Sequence, residues 1–173
     1  MKIESPDFTA VNVRAFLDEV LEHERLHLVD RLTADSSRLA ALVEQGVAQH
    51  SGGEHWSGHE VLAHIVVLSK FYGTLTSQVG SGKMSEVDVL SAARARDVAA
   101  EPLLPLPAAA LLQMAQREHQ RTISYLRGAT ALDLARRVTM VDEVTMSAQE
   151  IASLPLCGHL EIHLEQLEQA SKS

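Results

Sequence analysis

Two of the nine histidines of this 173-residue chain stand four residues apart near its C-terminus, His159 and His163 in the stretch LCGHLEIHLEQL. On a helix of 3.6 residues per turn that spacing puts both imidazoles on one face, about 40° apart. Leu156, Leu160, Ile162 and Leu167 are expected on the same side, with Glu161, Glu165 and Glu168 opposite. The pair is therefore predicted to lie in a buried arc, where a ring nitrogen without a partner is costly. A divalent metal ion satisfies two imidazoles at once. Two core histidines bonded to backbone carbonyls or carboxylates are the plainer alternative, and an H-x-x-x-H pattern is too permissive to choose between them.

A third histidine changes that balance. His64 falls in the apolar arc of a second helix, among Val61, Ile65, Leu68, Phe71, Tyr72 and Leu75. Three imidazoles on buried faces leave a position open on the metal shell, which is the layout of a catalytic rather than a structural site. Imidazole suits zinc, nickel, iron or copper, with zinc or nickel the expected ion. Water bound there would become acidic enough to act near neutral pH, and a low-molecular-weight thiol could take the same position. His119 lies on the inner face of a third helix with Leu111, Leu112, Ala115, Ile123 and Leu126. It is the candidate catalytic residue, for proton transfer or for positioning a ligand, against the alternative of a core histidine with a backbone partner.

Other histidines are expected to take no part. His23 and His27 repeat the i, i+4 spacing but sit at the rim of their helix's apolar stripe, beside Glu22, Glu24 and Arg25, on a solvated face. His59 points about 140° away from His64, so HEVLAH is one residue too long to be an H-E-x-x-H metal clip. The lone cysteine, Cys157, points away from the histidine arc and reads as a structural or surface thiol. GSGKMS lacks the first glycine and the Ser or Thr of a phosphate loop.

The elements that must carry these residues are helical. Aliphatic residues and good helix formers dominate, aromatics make up 3%, and alternation is scarce. Helices are predicted over 11–46, 58–78, 108–127 and 148–170, the first with a break near 33–37. Ser57 with Glu60 and Ser147 with Glu150 read as capping boxes, and Trp56 with Val61 as a hydrophobic staple. A polar glycine loop is expected over 48–55. The 80–106 connection carries a short helix from about 85 to 97 and serves as a crossover or lid. A short strand or hairpin is expected over 137–146, and a bend at Pro155. One domain of 173 residues accounts for the whole chain. Net charge of -8 and the absence of a basic stripe argue against nucleic acid and anionic membranes as partners. A single cysteine and an N-terminus without an apolar signal core fit a reducing cytoplasm.

The pattern W-S-x-x-E-V-L-x-H-I, from Trp56 to Ile65, resembles the second helix of the DinB/YfiT-like metalloenzyme family. The pattern H-x-x-x-H-L-x-Q-L, from His159 to Leu167, resembles its last helix. The intervals and the chain length are similar too. The resemblance implies an all-α fold, a four-helix bundle with long crossover connections in up-up-down-down order. It implies one divalent ion held by His64, His159 and His163, and a homodimer. That family includes thiol-dependent S-transferases and mycothiol-dependent maleylpyruvate isomerases. The implied function is a metal-dependent transferase or hydrolase acting on a small-molecule substrate with a thiol cofactor. The alternative is a non-catalytic, stress-associated bundle that only binds metal. Pro155 and Gly158, directly before the histidine pair, depart from the family pattern and put the straightness of the last helix in question.

Overall fold

The computed structural model describes residues 9–50, 56–141 and 144–170. Residues 51–55 of the expected glycine loop, 142–143 of the expected hairpin and the N-terminal residues 1–8 lie outside the described residues. Helix α1 (Ala10–Glu44) opens on Thr9, which exchanges bonds with Asn12 in a capping box. The break expected near 33–37 is absent. The Thr33 and Ser37 hydroxyls donate to the Val29 and Thr33 carbonyls one turn back. Leu32 and Leu39 on either side are fully buried, so packing carries the helix across its weakest formers.

Helix α2 (Gly58–Gly80) starts at the Ser57–Glu60 capping box, as its sequence predicts. It is the central helix, buried continuously from Val61 to Ser69. The crossover carries α3 (Val89–Ala100), which packs along α2. Helix α4 (Ala108–Gly128) follows Pro107, then come a short α5 (Ala131–Ala135) and an antiparallel hairpin of β1 (Arg137–Thr139) and β2 (Thr145–Ser147). The last helix is one rod in three parts. A single turn, α6 (Ala148–Ile151), opens at the Ser147–Glu150 capping box, a π-helical stretch spans Ala152–Gly158, and α7 (His159–Ala170) completes it. Pro155 sits inside the π stretch. It has no N–H to give, and the wider turn absorbs it where a regular α-helix would clash.

Contacts across the bundle give its directions. Arg31 pairs with Glu161 and Arg38 with Glu168, so α1 and α7 run the same way. Ser69 meets His119 and Gly73 abuts Thr122, so α2 and α4 are parallel. His64 meets α7, while Leu75 and Val79 pack on Ala148 and Ile151, so α2 opposes the last helix. The order is up-down-down-up, not up-up-down-down. The chain reverses directly after α1, where the Gly58 N–H bonds to the His50 carbonyl. Among the described residues, the α3 connection is the one that runs the length of the bundle.

Leu28, Leu32, Leu39, Leu62, Leu68, Leu111, Leu126 and Leu160 form the centre of the core, all at 1% exposure or less. Ile162 departs from expectation at 62% exposed. Leu160, Leu164 and Leu167 define the buried stripe of α7, and Ile162 stands two positions from Leu160 and Leu164, about 200° round the helix. Among the described residues no helix is long and apolar enough to cross a membrane.

Candidate metal centre

The capping box at Ser57 fixes the phase of α2 and so aims His64 at the last helix. The π stretch sets the phase of α7 and brings His159 and His163 to meet it. The ring centroids stand 5.6 Å apart for His64 and His159, and 4.7 Å apart for His64 and His163 and for His159 and His163. One ligand atom from each lies within 4.8 Å of the others. His64 and His163 are buried and His159 is half-buried.

The donor set fits a metal ion. His163 Nε2 is buried with no hydrogen-bond partner. Its other nitrogen, Nδ1, lies 3.1 Å from Gln166 Oε1. A carboxamide oxygen only accepts, so Nδ1 carries the proton and Nε2 presents a bare lone pair towards the cluster. Burial lowers the His163 pKa most, Gln166 opposes this, and the nearby Arg96 charge adds to the lowering. Each influence that lowers it keeps the ring neutral, the state that ligates. Tetrahedral bonds of 2.0–2.1 Å put donors on one ion about 3.3–3.4 Å apart, so a pair at the 4.8 Å limit would have to close by about 1.4 Å.

Around the histidines stand residues whose part the sequence did not give. The Trp56 ring lies 4.9 Å from His64 and stacks near-parallel on His163 at 6.4 Å, so the residue expected to staple Val61 roofs the histidines. A cavity of about 260 Å³ opens beside them, lined by Trp56, Glu60, His64, Ala100, Glu101 and Leu104. Glu60 is committed to the Ser57 cap, whose backbone and hydroxyl bonds hold its pKa below the usual carboxylate range. Glu101 is an exposed carboxylate of that cavity.

The chain matches a family model described as the DinB superfamily over residues 31–167. It belongs to the DinB superfamily. The matched span includes all three clustered histidines and most of the bundle that holds them. Among curated proteins and among solved structures nothing matches the chain.

The remaining candidates of this DinB-superfamily chain lie apart from the cluster. His119 on α4 is 1% exposed, and its Nε2 lies 2.9 Å from Ser69 Oγ on α2 while Nδ1 has no partner. Its partner is thus a side chain, not the backbone carbonyl that a core role led one to expect. Burial pushes its pKa down to about 4. His23 and His27 are exposed, as predicted. Arg25 between them is buried, however, and donates to the Leu126 and Arg127 carbonyls at the C-terminus of α4. His59 is half-buried rather than exposed, with Nε2 2.9 Å from the Leu104 carbonyl, and ties α2 to the crossover. Cys157 is fully buried and burial raises its thiol to about 12, an inert structural thiol rather than a surface one.

Proposed function

We propose that this protein is a metal-dependent enzyme, a thiol-dependent S-transferase or a hydrolase, with one divalent ion, zinc or nickel, on His64, His159 and His163. The observation that carries the reading is the bare, buried Nε2 of His163 facing two further imidazoles beside an open cavity. A bound ion would supply Lewis acidity, favouring the thiolate of a small thiol or the hydroxide of a water at neutral pH. The protein's own residues do the rest. Gln166 fixes the tautomer of His163, Trp56 shields the histidines from bulk water, and Glu101 is placed to take a proton from a group entering the cavity. In this reading His119 acts through Ser69, on the same helix as His64, as a positioning residue. A reducing, cytoplasmic compartment suits thiol chemistry, and a homodimer is the proposed assembly.

A non-catalytic metal-binding bundle would keep the same three histidines. The cavity beside His64 favours the enzyme, because a module that only stores an ion has no use for a space the size of a small thiol. The test is metal analysis of the purified full chain, then a conjugation assay with a small thiol and a chloronitrobenzene. Stoichiometric metal with thiol consumption that stops on chelation is the expected result. Metal without any turnover across thiols and ester substrates would return the protein to the binding class. Absence of metal affinity would remove both.

A further inference from the structure

Helix α3 runs along α2, yet none of its described residues is buried. Beneath it lies a cavity of about 510 Å³. The roof is Ala92, Ala95 and Ala99, spaced three and four apart on one face of α3, and their methyl groups stop short of the wall opposite. The floor is Val66, Val67 and Leu75 of α2, each at 7% exposure or less. Val66 and Leu75 belong to the two core clusters, so this floor is fixed by close packing behind it. Half-buried Phe71, Met84 and Met114 close the sides. The cations at the edge are not built to hold a charged head group. Arg96 is engaged by Tyr72, 5.9 Å over its ring and 3.4 Å from its hydroxyl, and Lys70 is exposed and keeps its ammonium in water.

We propose that this cavity binds a neutral aromatic molecule, seated on the α2 floor among Phe71, Met84 and Met114 and roofed by α3. The volume is that of a pocket for a small organic ligand, and the lining is apolar on every side. Thioethers make favourable contacts with aromatic rings, and Phe71 offers a ring to pack against. Unbranched Met84 and Met114 adapt to the outline of the guest. Left empty, the space costs α3 and α2 the dispersion contacts that a guest restores to both. A charged guest would give up its hydration in an apolar space without a partner to replace it. Occupancy therefore ties the exposed α3 helix down onto the bundle. Binding here stands apart from whether the histidines hold an ion.

N-phenylnaphthylamine, a neutral probe that fluoresces in apolar surroundings, is titrated into the purified full chain with and without one equivalent of zinc. One probe per chain is expected, bound at least about tenfold tighter than anilinonaphthalenesulfonate, the same rings carrying a charge. Ala92→Phe and Ala95→Phe extend the roof into the cavity, and each should weaken the probe by at least about tenfold, with circular dichroism reporting their fold. Val98→Phe adds the same ring to α3 at a position 63% exposed and outside the cavity, and should bind as wild type does. Saturating probe should slow amide hydrogen exchange in α3. No binding by the wild type, equal affinity for the sulfonate, full affinity in both filled variants, equal loss in Val98→Phe, or unchanged α3 exchange would each overturn the proposal. Zinc binding without probe binding sinks this inference alone, and the reverse sinks only the metal reading.

Discussion

His163 owes its availability as a ligand to Gln166, and the dependence can be measured. Gln166→Leu removes the acceptor that holds the proton on Nδ1. Loss of such an orienting partner typically costs about 10–100-fold in metal affinity, and that drop is expected in competition with a chromophoric chelator. His64→Ala should lose stoichiometric metal altogether, whereas His23→Ala, His59→Ala and Cys157→Ser should keep it. Retention of one ion per chain by His64→Ala would exclude the site. Asp35 offers a pH test at the same scale. It is 6% exposed, Oδ2 has no partner, and burial first, then Glu161, raises its pKa to about 6 from 3.8 against the pull of Arg31 and Arg38. The folded chain therefore binds this proton more tightly than the unfolded chain does. Stability from the group is fully present below about pH 3.8, falls as pH rises to about 6, and stays reduced above. Asp35→Asn should be more stable than wild type by about 1–2 kcal/mol at pH 7.5 after screening by solvent, with the gap closing near pH 4 in urea titrations. The cluster of His64, His159 and His163 was legible because spacing and apolar arcs place histidines on faces. Trp56 and Gln166 were visible as motif letters, but their roles depend on ring stacking and on an i, i+3 bond that periodicity does not encode. Arg25 misled for a related reason: a charged residue among charged neighbours reads as solvated until α4 presents its last carbonyls.

The start of α2 is where local chain geometry fixes the centre. A Cβ on Gly58 would lie 2.0 Å from the Val47 carbonyl oxygen, a backbone atom that cannot swing aside. Gly58 is thus the close approach that lets the chain turn from α1 and place Trp56 and His64 together. Gly58→Ala should destabilise by about 2–3 kcal/mol, as overpacking does, and weaken metal binding in the surviving fold. Ser57→Ala loses only the cap, at about 1 kcal/mol. Urea midpoints for the two variants separate these effects, and a Gly58→Ala variant as stable as wild type would show that the turn can relax. The capping boxes at Ser57 and Ser147 were readable because they are contact patterns only four residues long. The π stretch was readable only as trouble at Pro155. Its length depends on how α1 and α2 hold the flanking segments, which no local pattern states.

At the scale of the molecule, α1 is longer than its partners, 35 residues against 23 in α2 and 21 in α4. Its buried residues begin only at Arg25, so its first turns extend past the bundle. That overhang carries Val13, Phe16, Leu17 and Val20 at 40–59% exposure, spaced three and four apart along one stripe. The helical spacing of apolar residues along this helix was legible in the sequence, and in its first half that stripe is exposed. Among the described residues, α5 and the end of α4 border this stretch on one side, where Arg14, Asp18 and Leu21 share a cavity with Ala129, Leu132 and Ala135 and Arg25 caps α4. Such a stripe suits a second copy of itself, because the three-four spacing is self-complementary in a helix pair and a two-fold axis covers both copies at once. A homodimer through α1 is expected to give twice the chain mass by light scattering at micromolar concentration. Phe16→Asp with Val20→Asp, both at exposed positions, should give a monomer whose helicity and metal stoichiometry are unchanged. A wild-type monomer across that concentration range would overturn the assembly while leaving the histidine cluster, which lies on α2 and α7, untouched.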